Sequence, residues 1–151
     1  MSKFLGFLFV CVLWSGVGHA QAKPQVSSVE GYVFDNEKGE FSKENVFAEG
    51  FAGLWNQVQV DAVQVVVEVS GDPYGTYWRK QDRKFKVQLN GRGGKAWTQT
   101  RPVLTLGENG KRYLSFLVYF DTCTTLTVIA KVVGPGPSSP VEVSLPFNCG
   151  E

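Results

Sequence analysis

Residues 58–69 read VQVDAVQVVVEV, and this stretch decides the fold class. From Val63 to Val69, valine occupies every second position, and polar residues such as Glu68 fall on the opposite face. A period of two is typical of a β-strand with one buried and one exposed face. The alternation breaks near Asp61, which indicates a β-bulge. The stretch therefore predicts an amphipathic strand in an all-β protein.

Further strands are predicted on both sides of this one, separated by turn-forming residues. Ser42–Trp55 is the best helix candidate, but Gly50 and Gly53 interrupt it, so an extended segment is favoured over a short helical turn. Glu108–Gly110 is predicted as a hairpin turn. With 151 residues, the chain suits a single antiparallel β-sandwich of about seven to eight strands. The other predicted strands are Val26–Phe34, Val46–Ala52, Phe85–Leu89 ending at Asn90-Gly91, Ala96–Leu106 and Arg112–Phe120, with a turn at Asp35–Gly39.

The last predicted hairpin carries two cysteines. Residues 124–133 are rich in β-branched side chains, residues 134–139 read GPGPSS, and residues 141–145 alternate. Cys123 and Cys149 lie at equal distances from the middle of that loop, so an antiparallel hairpin centred there places them face to face. We expect them to form one disulfide in an oxidising compartment. A redox or metal role is the alternative, but the chain has no C-x-x-C motif.

The N-terminus predicts export. Lys3 precedes an uncharged apolar run at residues 4–14, which is too short to span a bilayer. Ala20-Gln21-Ala22 then has the small-x-small form of a signal peptidase site. We expect residues 1–22 to be a signal peptide and residues 23–151 to be a secreted or periplasmic domain without a transmembrane segment. Cleavage after Ala20 and an uncleaved N-terminal anchor are the alternatives.

The charges of the mature chain balance, but they are unevenly distributed. Loss of Lys3 leaves fourteen basic residues against fourteen acidic ones, which argues against a nucleic-acid partner. Residues 23–72 hold three basic and nine acidic side chains, whereas residues 79–112 hold ten basic and two acidic ones. Interleaved strands are expected to average these runs over the surface. The other interpretation is a basic face that meets an anionic surface.

The mature chain lacks the residues on which common catalytic mechanisms depend. His19, the one histidine, is removed with the signal peptide. Ser-His-Asp catalysis and most catalytic metal sites need a histidine, so the mature chain is not expected to have them. We therefore predict no catalytic residues, no metal and no cofactor. The glycine-rich residues 91–94 are predicted to be a hairpin loop. Four nearby glutamates could serve as paired carboxylates, but they are predicted to form a solvated acidic loop: Glu37, Glu40, Glu44 and Glu49.

One loop is a candidate binding surface. Residues 74–84 read YGTYWRKQDRK and place aromatic rings beside basic side chains. Aromatic faces stack on sugar rings, and basic groups pair with acidic ones, so an anionic polysaccharide or an acidic protein surface fits this loop. The competing interpretation places Trp78 in the core and makes the basic cluster a solubilising turn. The candidate residues are Tyr74, Tyr77, Arg79, Lys80, Arg83 and Lys84.

The order of valines and aromatics between Val63 and Asp121 carries a family resemblance. Alternating valines are followed by Tyr77-Trp78, Phe85, Trp97, Gly110, Tyr113 and Phe120-Asp121. This order resembles the immunoglobulin-like β-sandwich modules of bacterial exported and cell-surface proteins. The resemblance implies that Trp78, Phe85, Trp97 and Tyr113 are mainly structural. The two cysteines are not a usual feature of those modules.

Two functions remain for such a chain. The first is a non-catalytic binding or adhesion module that recognises a protein or anionic polysaccharide at the cell envelope. The second is a periplasmic inhibitor or immunity-type protein that blocks one partner enzyme by edge pairing or loop insertion.

Overall fold

The structure is a computed structural model that describes residues 22–51, 54–55, 62–75, 78, 85–93, 95–119, 124–136 and 138–148. These residues form an all-β protein built around two antiparallel sheets, as predicted. The described residues contain no helix with the length and apolar character needed to cross a membrane. The strands are β1 (Gln25–Asp35), β2 (Glu40–Phe41), β3 (Leu54–Trp55), β4 (Ala62–Ser70), β5 (Lys86–Gly93), β6 (Lys95–Pro102), β7 (Lys111–Tyr119), β8 (Leu126–Val133), β9 (Val141–Leu145) and β10 (Phe147–Asn148).

The first sheet has the strand order β2-β1-β4-β7 and is organised around the valine-rich strand. In β4, the side chains of Val63, Val65, Val67 and Val69 are all fully buried. Burial of each such side chain contributes about 1.5 kcal/mol, so the alternating pattern determines which face of the strand points inward. Residues 58–61 of the predicted strand, including the predicted bulge near Asp61, lie outside the described residues.

The second sheet has the order β6-β5-β8-β9 and supplies the opposite half of the core. Val87 and Leu89 of β5 and Val128 and Ala130 of β8 are fully buried, while the residues between them face outward. Together with Phe116 of β7, these side chains belong to the same apolar cluster as the β4 valines. Both sheets therefore share one core. A short parallel pair, β3 with β10, lies apart from the two main sheets.

The turn at Glu108–Gly110 forms as predicted, but it does not make a hairpin. Gly110 has a positive φ of 74° and donates a backbone hydrogen bond to the Gly107 carbonyl at 2.9 Å. However, β6 and β7 belong to different sheets. The reason lies in the preceding segment, where Val103 and Leu106 are buried in the core. Their burial carries the chain from one sheet to the other.

The prediction that a strand ends at Asn90-Gly91 is wrong. Strand β5 continues to Gly93, and Asn90 pairs with both Thr98 of β6 and Ile129 of β8. At Gly91, an added Cβ would overlap the indole ring of Trp97 on the neighbouring strand. Position 91 therefore needs glycine because the Trp97 ring occupies the space of a side chain, and this glycine does not mark a turn. Residues 91–93 of the predicted glycine-rich loop are part of the strand.

The predicted strand at Val46–Ala52 is also not formed. Residues 45–51 make successive turns, in which Ala48 donates to the Asn45 carbonyl and Phe51 donates to the Ala48 carbonyl, both at 3.1 Å. The Asn45 side-chain oxygen accepts hydrogen bonds from the backbone N–H groups of Gly31 and Phe47. This asparagine joins the loop to the edge of β1, so turn chemistry prevails over the apolar pattern.

The C-terminal hairpin, β8 with β9, is antiparallel as predicted, and both cysteines lie outside the described residues. Leu126 pairs with Leu145 and Ala130 pairs with Val141. A ladder centred midway between Cys123 and Cys149 would instead pair Leu126 with Pro146, so the register differs from the predicted one by one residue. The disulfide stays a prediction.

Candidate functional site

The predicted aromatic and basic loop begins with a well-defined turn. The Asp72 carboxylate accepts a hydrogen bond from the Tyr74 backbone N–H at 2.9 Å, and the Gly75 N–H donates to the Asp72 carbonyl at 3.3 Å. This turn presents the Tyr74 side chain, which is 71 % exposed. The structure therefore places one candidate residue at the surface. The other candidates, Tyr77, Arg79, Lys80, Arg83 and Lys84, lie outside the described residues.

Trp78 belongs to the core and not to the binding surface. Its indole N–H donates a hydrogen bond to the Asp72 carbonyl at 3.0 Å, and its ring centroid lies 5.6 Å from that of Phe85. Both rings are buried. The structural role implied by the family resemblance thus holds for Trp78 and Phe85. It holds only in part for Trp97, which is half-buried, and Tyr113 lies outside the core, with its side chain 58 % exposed.

The two sheets carry opposite charge. The strands of the first sheet hold four carboxylates and two cationic groups, whereas those of the second hold five cationic groups and one carboxylate. The expectation that interleaved strands average the charge therefore holds only in part for the described strands, because Lys111 and Arg112 of the basic run lie in the first sheet while its other described cations lie in the second. In the first sheet the residues are Glu30, Asp35, Glu40, Glu68, Lys111 and Arg112, and in the second they are Lys86, Arg92, Lys95, Arg101, Lys131 and Glu142.

This separation follows from strand order. Most of the described part of the basic stretch lies in β5 and β6, which pair with each other and so place their cations in one sheet, and only its last two residues begin β7. The acidic stretch supplies β1, β2 and β4, which are neighbours in the other sheet. Consecutive strands that pair with each other keep a charge run together, whereas averaging would require them to alternate between layers.

The outer face of the second sheet is polar and basic. Because Val87 and Leu89 point inward, Lys86, Gln88 and Arg92 point outward. Lys131 of β8 faces outward beside Gln88, with which it pairs. Amide and hydroxyl groups lie between the cations, and the Asn90 side-chain oxygen accepts hydrogen bonds from Gln88 Nε2 at 2.9 Å and from Thr98 Oγ1 at 3.0 Å. This face offers cations together with an ordered row of polar groups.

A trough of about 360 Å³ crosses this face. It follows one cross-strand row, in which Asn90 pairs with Ile129 and Ile129 pairs with Glu142. Ile129 provides an apolar floor, and Arg92 and Thr127 form a second row beside it. Within the described part of the chain, the Arg92 and Glu142 side chains make no ion pair or hydrogen bond. The trough therefore combines an apolar floor with uncommitted groups of both charges.

The outer face of the first sheet has a different character. Tyr113, Leu117 and Tyr119 of β7 are exposed along one side of the strand. Glu68 accepts a hydrogen bond from Ser27 Oγ at 2.8 Å and lies 3.0 Å from Lys111 Nζ. The hydrogen bonds from Ser27 and Tyr113, followed by the bond from Lys111, hold the pKa of the Glu68 carboxyl below its ordinary value. The same contact with Glu68 raises the pKa of Tyr113.

A larger groove of about 580 Å³ lies beside β2 and contains part of the predicted acidic loop. Glu40 and Glu44 line it, but so do Lys38 and Lys43. Lys38 lies 2.9 Å from Asp35, and its hydrogen bond lowers the pKa of that carboxyl, so Asp35 is ionised at neutral pH. An ionised, paired carboxylate is not a general acid. The described residues also hold no group of three or more His, Cys, Asp and Glu side chains able to bind a metal ion.

Sequence reasoning missed the residues that line the trough. The glycine-rich pattern of residues 91–94 predicts a loop at Arg92, and Glu142 lies about fifty positions further along the chain. The available signal was the alternation of Thr127, Ile129 and Lys131 between buried residues, which marks an outward row of β8. Comparison with family models, curated proteins and solved structures finds no match to this chain.

Proposed function

We propose that this protein is an exported, non-catalytic binding module whose second sheet contacts an anionic polysaccharide at the cell envelope. The observation that carries the proposal is the charge on the outer face of the second sheet, where three cations, Lys86, Arg92 and Lys131, face one carboxylate, Glu142. A face with an excess of positive charge attracts a polymer of opposite charge and raises its local concentration. The amide and hydroxyl groups between the cations match the hydroxyl groups of sugars.

The strand grouping supports assignment to the immunoglobulin-like class. Apart from the short strands β2, β3 and β10, the first, second and fifth strands share one sheet, and the other four share the second. Immunoglobulin-like sandwiches divide their strands in a similar way, with an added strand beside the third in the variable type. Export and the Cys123–Cys149 disulfide belong to the same proposal and depend on the sequence features of the N-terminus and the C-terminal hairpin.

The test measures binding of the mature domain to dextran sulfate and polygalacturonate, with neutral dextran as the reference polymer. Lys131→Glu is expected to weaken binding of both anionic polymers about tenfold at low salt, because it reverses one charge on the basic face. Lys43→Glu is the matched control, since Lys43 is exposed on the loop beside the first sheet. Binding of the parent protein is expected to fall steeply as salt increases.

The predicted basic loop is tested in the same assay. A variant in which four basic residues are replaced by neutral ones is expected to keep the fold and to bind both anionic polymers more weakly than the parent protein. The four residues are Arg79, Lys80, Arg83 and Lys84. Equal effects of Lys131→Glu and Lys43→Glu, or no anionic polymer bound at any salt concentration, would contradict the proposal. A single tight protein partner that polysaccharides do not displace would support the inhibitor or immunity-type alternative.

A further inference from the structure

We infer that the trough on the second sheet is a subsite for one carboxylated sugar residue, of the uronate type, within the anionic polymer. This inference rests on the proposed function and specifies the chemistry that the basic face recognises. It places four recognition groups around one apolar floor: Arg92, Asn90, Thr127 and Glu142.

The floor of the trough suits the apolar face of a sugar ring. Ile129 lies in the middle strand of the row, between Asn90 on one side and Glu142 on the other. Gly91 lines the trough with its backbone only, because a side chain at this position would point toward Trp97 on the core face. A volume of about 360 Å³ lies near the lower end of the range for small-molecule sites. One ring and its substituents fit such a space.

Arg92 is suited to the carboxylate of that sugar. A guanidinium group presents a planar fork of donors that matches a carboxylate with two parallel hydrogen bonds. Among the described residues no carboxylate pairs with Arg92, so binding would not have to break an existing ion pair. Arg92 is also exposed, so its guanidinium is open to a ligand.

Asn90 and Thr127 are held with donors available. The Asn90 oxygen already accepts two hydrogen bonds, which leaves the amide NH₂ to donate elsewhere. The Thr127 hydroxyl oxygen accepts from Ser144 Oγ at 3.4 Å, which leaves its own O–H as a donor. These two groups suit the hydroxyl or ring oxygens of a sugar.

Glu142 distinguishes this site from a general anion-binding surface. It is the one carboxylate in the strands of the second sheet, where it opposes the binding of any anion. A carboxylate only accepts hydrogen bonds, and sugar hydroxyls are the donors that it fits. Its position in the trough therefore favours a ligand with both a carboxylate and hydroxyl groups over a purely sulfated or phosphorylated polymer.

Glu142 is expected to repel any anionic polymer but to bind the hydroxyl groups of a carboxylated sugar, and the experiment separates these two effects. Glu142→Gln removes a negative charge, so it is expected to tighten binding of dextran sulfate about twofold. If Glu142 binds sugar hydroxyls, the same variant weakens binding of polygalacturonate about tenfold, since hydrogen bonds to charged groups are stronger than those to an amide. Glu108→Gln, in an exposed turn, is the charge-matched control, and it is expected to change binding of both polymers little.

Arg92→Lys gives a second, independent measurement. It keeps the charge but loses the planar fork, so binding of polygalacturonate weakens while binding of dextran sulfate stays the same. Thermal unfolding of each variant verifies that the fold is intact. If Glu142→Gln tightens binding of both polymers, or Arg92→Lys changes neither, the subsite inference is overturned and the proposed function stands. If the parent protein binds neither polymer, the proposed function itself fails.

Discussion

The indole ring of Trp97 on β6 occupies the space that a side chain at position 91 would fill on β5. The two residues are direct cross-strand partners, so the ring covers the glycine on the face that points toward the core. This arrangement allows β5 to run through Asn90-Gly91, a dipeptide that elsewhere favours a turn. The length of β5 in turn places Arg92 in the sheet and beside the trough.

Replacement of Gly91 by alanine is expected to destabilise the protein by about 1–3 kcal/mol, because the new methyl group must displace the Trp97 ring. Urea unfolding measures the free energy. The control is the same substitution in a Trp97→Ala background, where the ring is absent and the cost of Gly91→Ala should fall. Equal costs in the two backgrounds would show that the ring does not determine the need for glycine.

Replacement of Trp78 and of Trp97 by phenylalanine is expected to lower the free energy of unfolding by different amounts. The Trp78 indole N–H donates to the Asp72 carbonyl at 3.0 Å, whereas the buried Nε1 of Trp97 has no hydrogen-bond partner among the described residues. Trp78→Phe therefore loses both volume and a hydrogen bond, at a cost of about 2–3 kcal/mol. Trp97→Phe is expected to cost less, because it removes an unsatisfied N–H group.

Equilibrium unfolding of both variants gives the comparison directly. A larger loss for Trp97→Phe than for Trp78→Phe would contradict the assignment of Trp78 as the hydrogen-bonded ring that fixes the turn at Asp72.

Acid should remove the stabilisation that Glu68 provides. The pKa of Glu68 is lower in the folded state than in the unfolded state. Glu68 therefore stabilises the protein at a pH above its unfolded-state pKa, and this contribution disappears as the pH falls through its folded-state pKa. Glu68→Gln is therefore expected to lower the free energy of unfolding at neutral pH and to match the parent protein in strong acid. Urea unfolding across this range measures the difference, with Glu108→Gln as the control. A difference that is independent of pH would exclude the ionised network as its cause.

The sequence predicted each of the two sheets better than their connection. Alternation identifies the buried face of β4 without any tertiary information, because one register buries four valines and the other exposes them. The sequence also predicts the turn at Gly110, but a turn pattern does not determine whether the two strands that flank it pair with each other. That was decided by Val103 and Leu106, whose burial depends on the position of the other sheet.

The candidate site was predicted only where its residues are close in sequence. Tyr74 is a candidate because it lies in residues 74–84, where aromatic rings occur beside basic side chains. Arg92 and Glu142 meet only because β5 and β9 both pair with β8 in a particular register. Apart from the alternation in β8, no local sequence pattern indicates that Arg92 and Glu142 lie close together.

The predicted disulfide is testable in native material. Thiol alkylation of protein from its native source under denaturing conditions should leave Cys123 and Cys149 unmodified unless a reductant is added. Reduction is expected to lower the free energy of unfolding by about 3–4 kcal/mol, the value for a loop of this length. Free thiols at these positions in native protein would refute the pairing, and Cys123→Ser with Cys149→Ser should reproduce the reduced state.

The N-terminal residues distinguish between the two predicted cleavage positions. The Ala22 carbonyl accepts a hydrogen bond from the Asp72 N–H at 2.8 Å, which ties the N-terminus to the turn that carries Tyr74. A chain that begins at Lys23 lacks this acceptor and should be less stable by about 1 kcal/mol than one that begins at Gln21. A chain that begins at Ala22 is the control, because it keeps the carbonyl and should match the longer chain. Thermal unfolding compares the three chains, and the intact mass of the protein from its native source shows which N-terminus occurs. Equal stability of all three chains would mean that the bond to Asp72 contributes nothing to the fold.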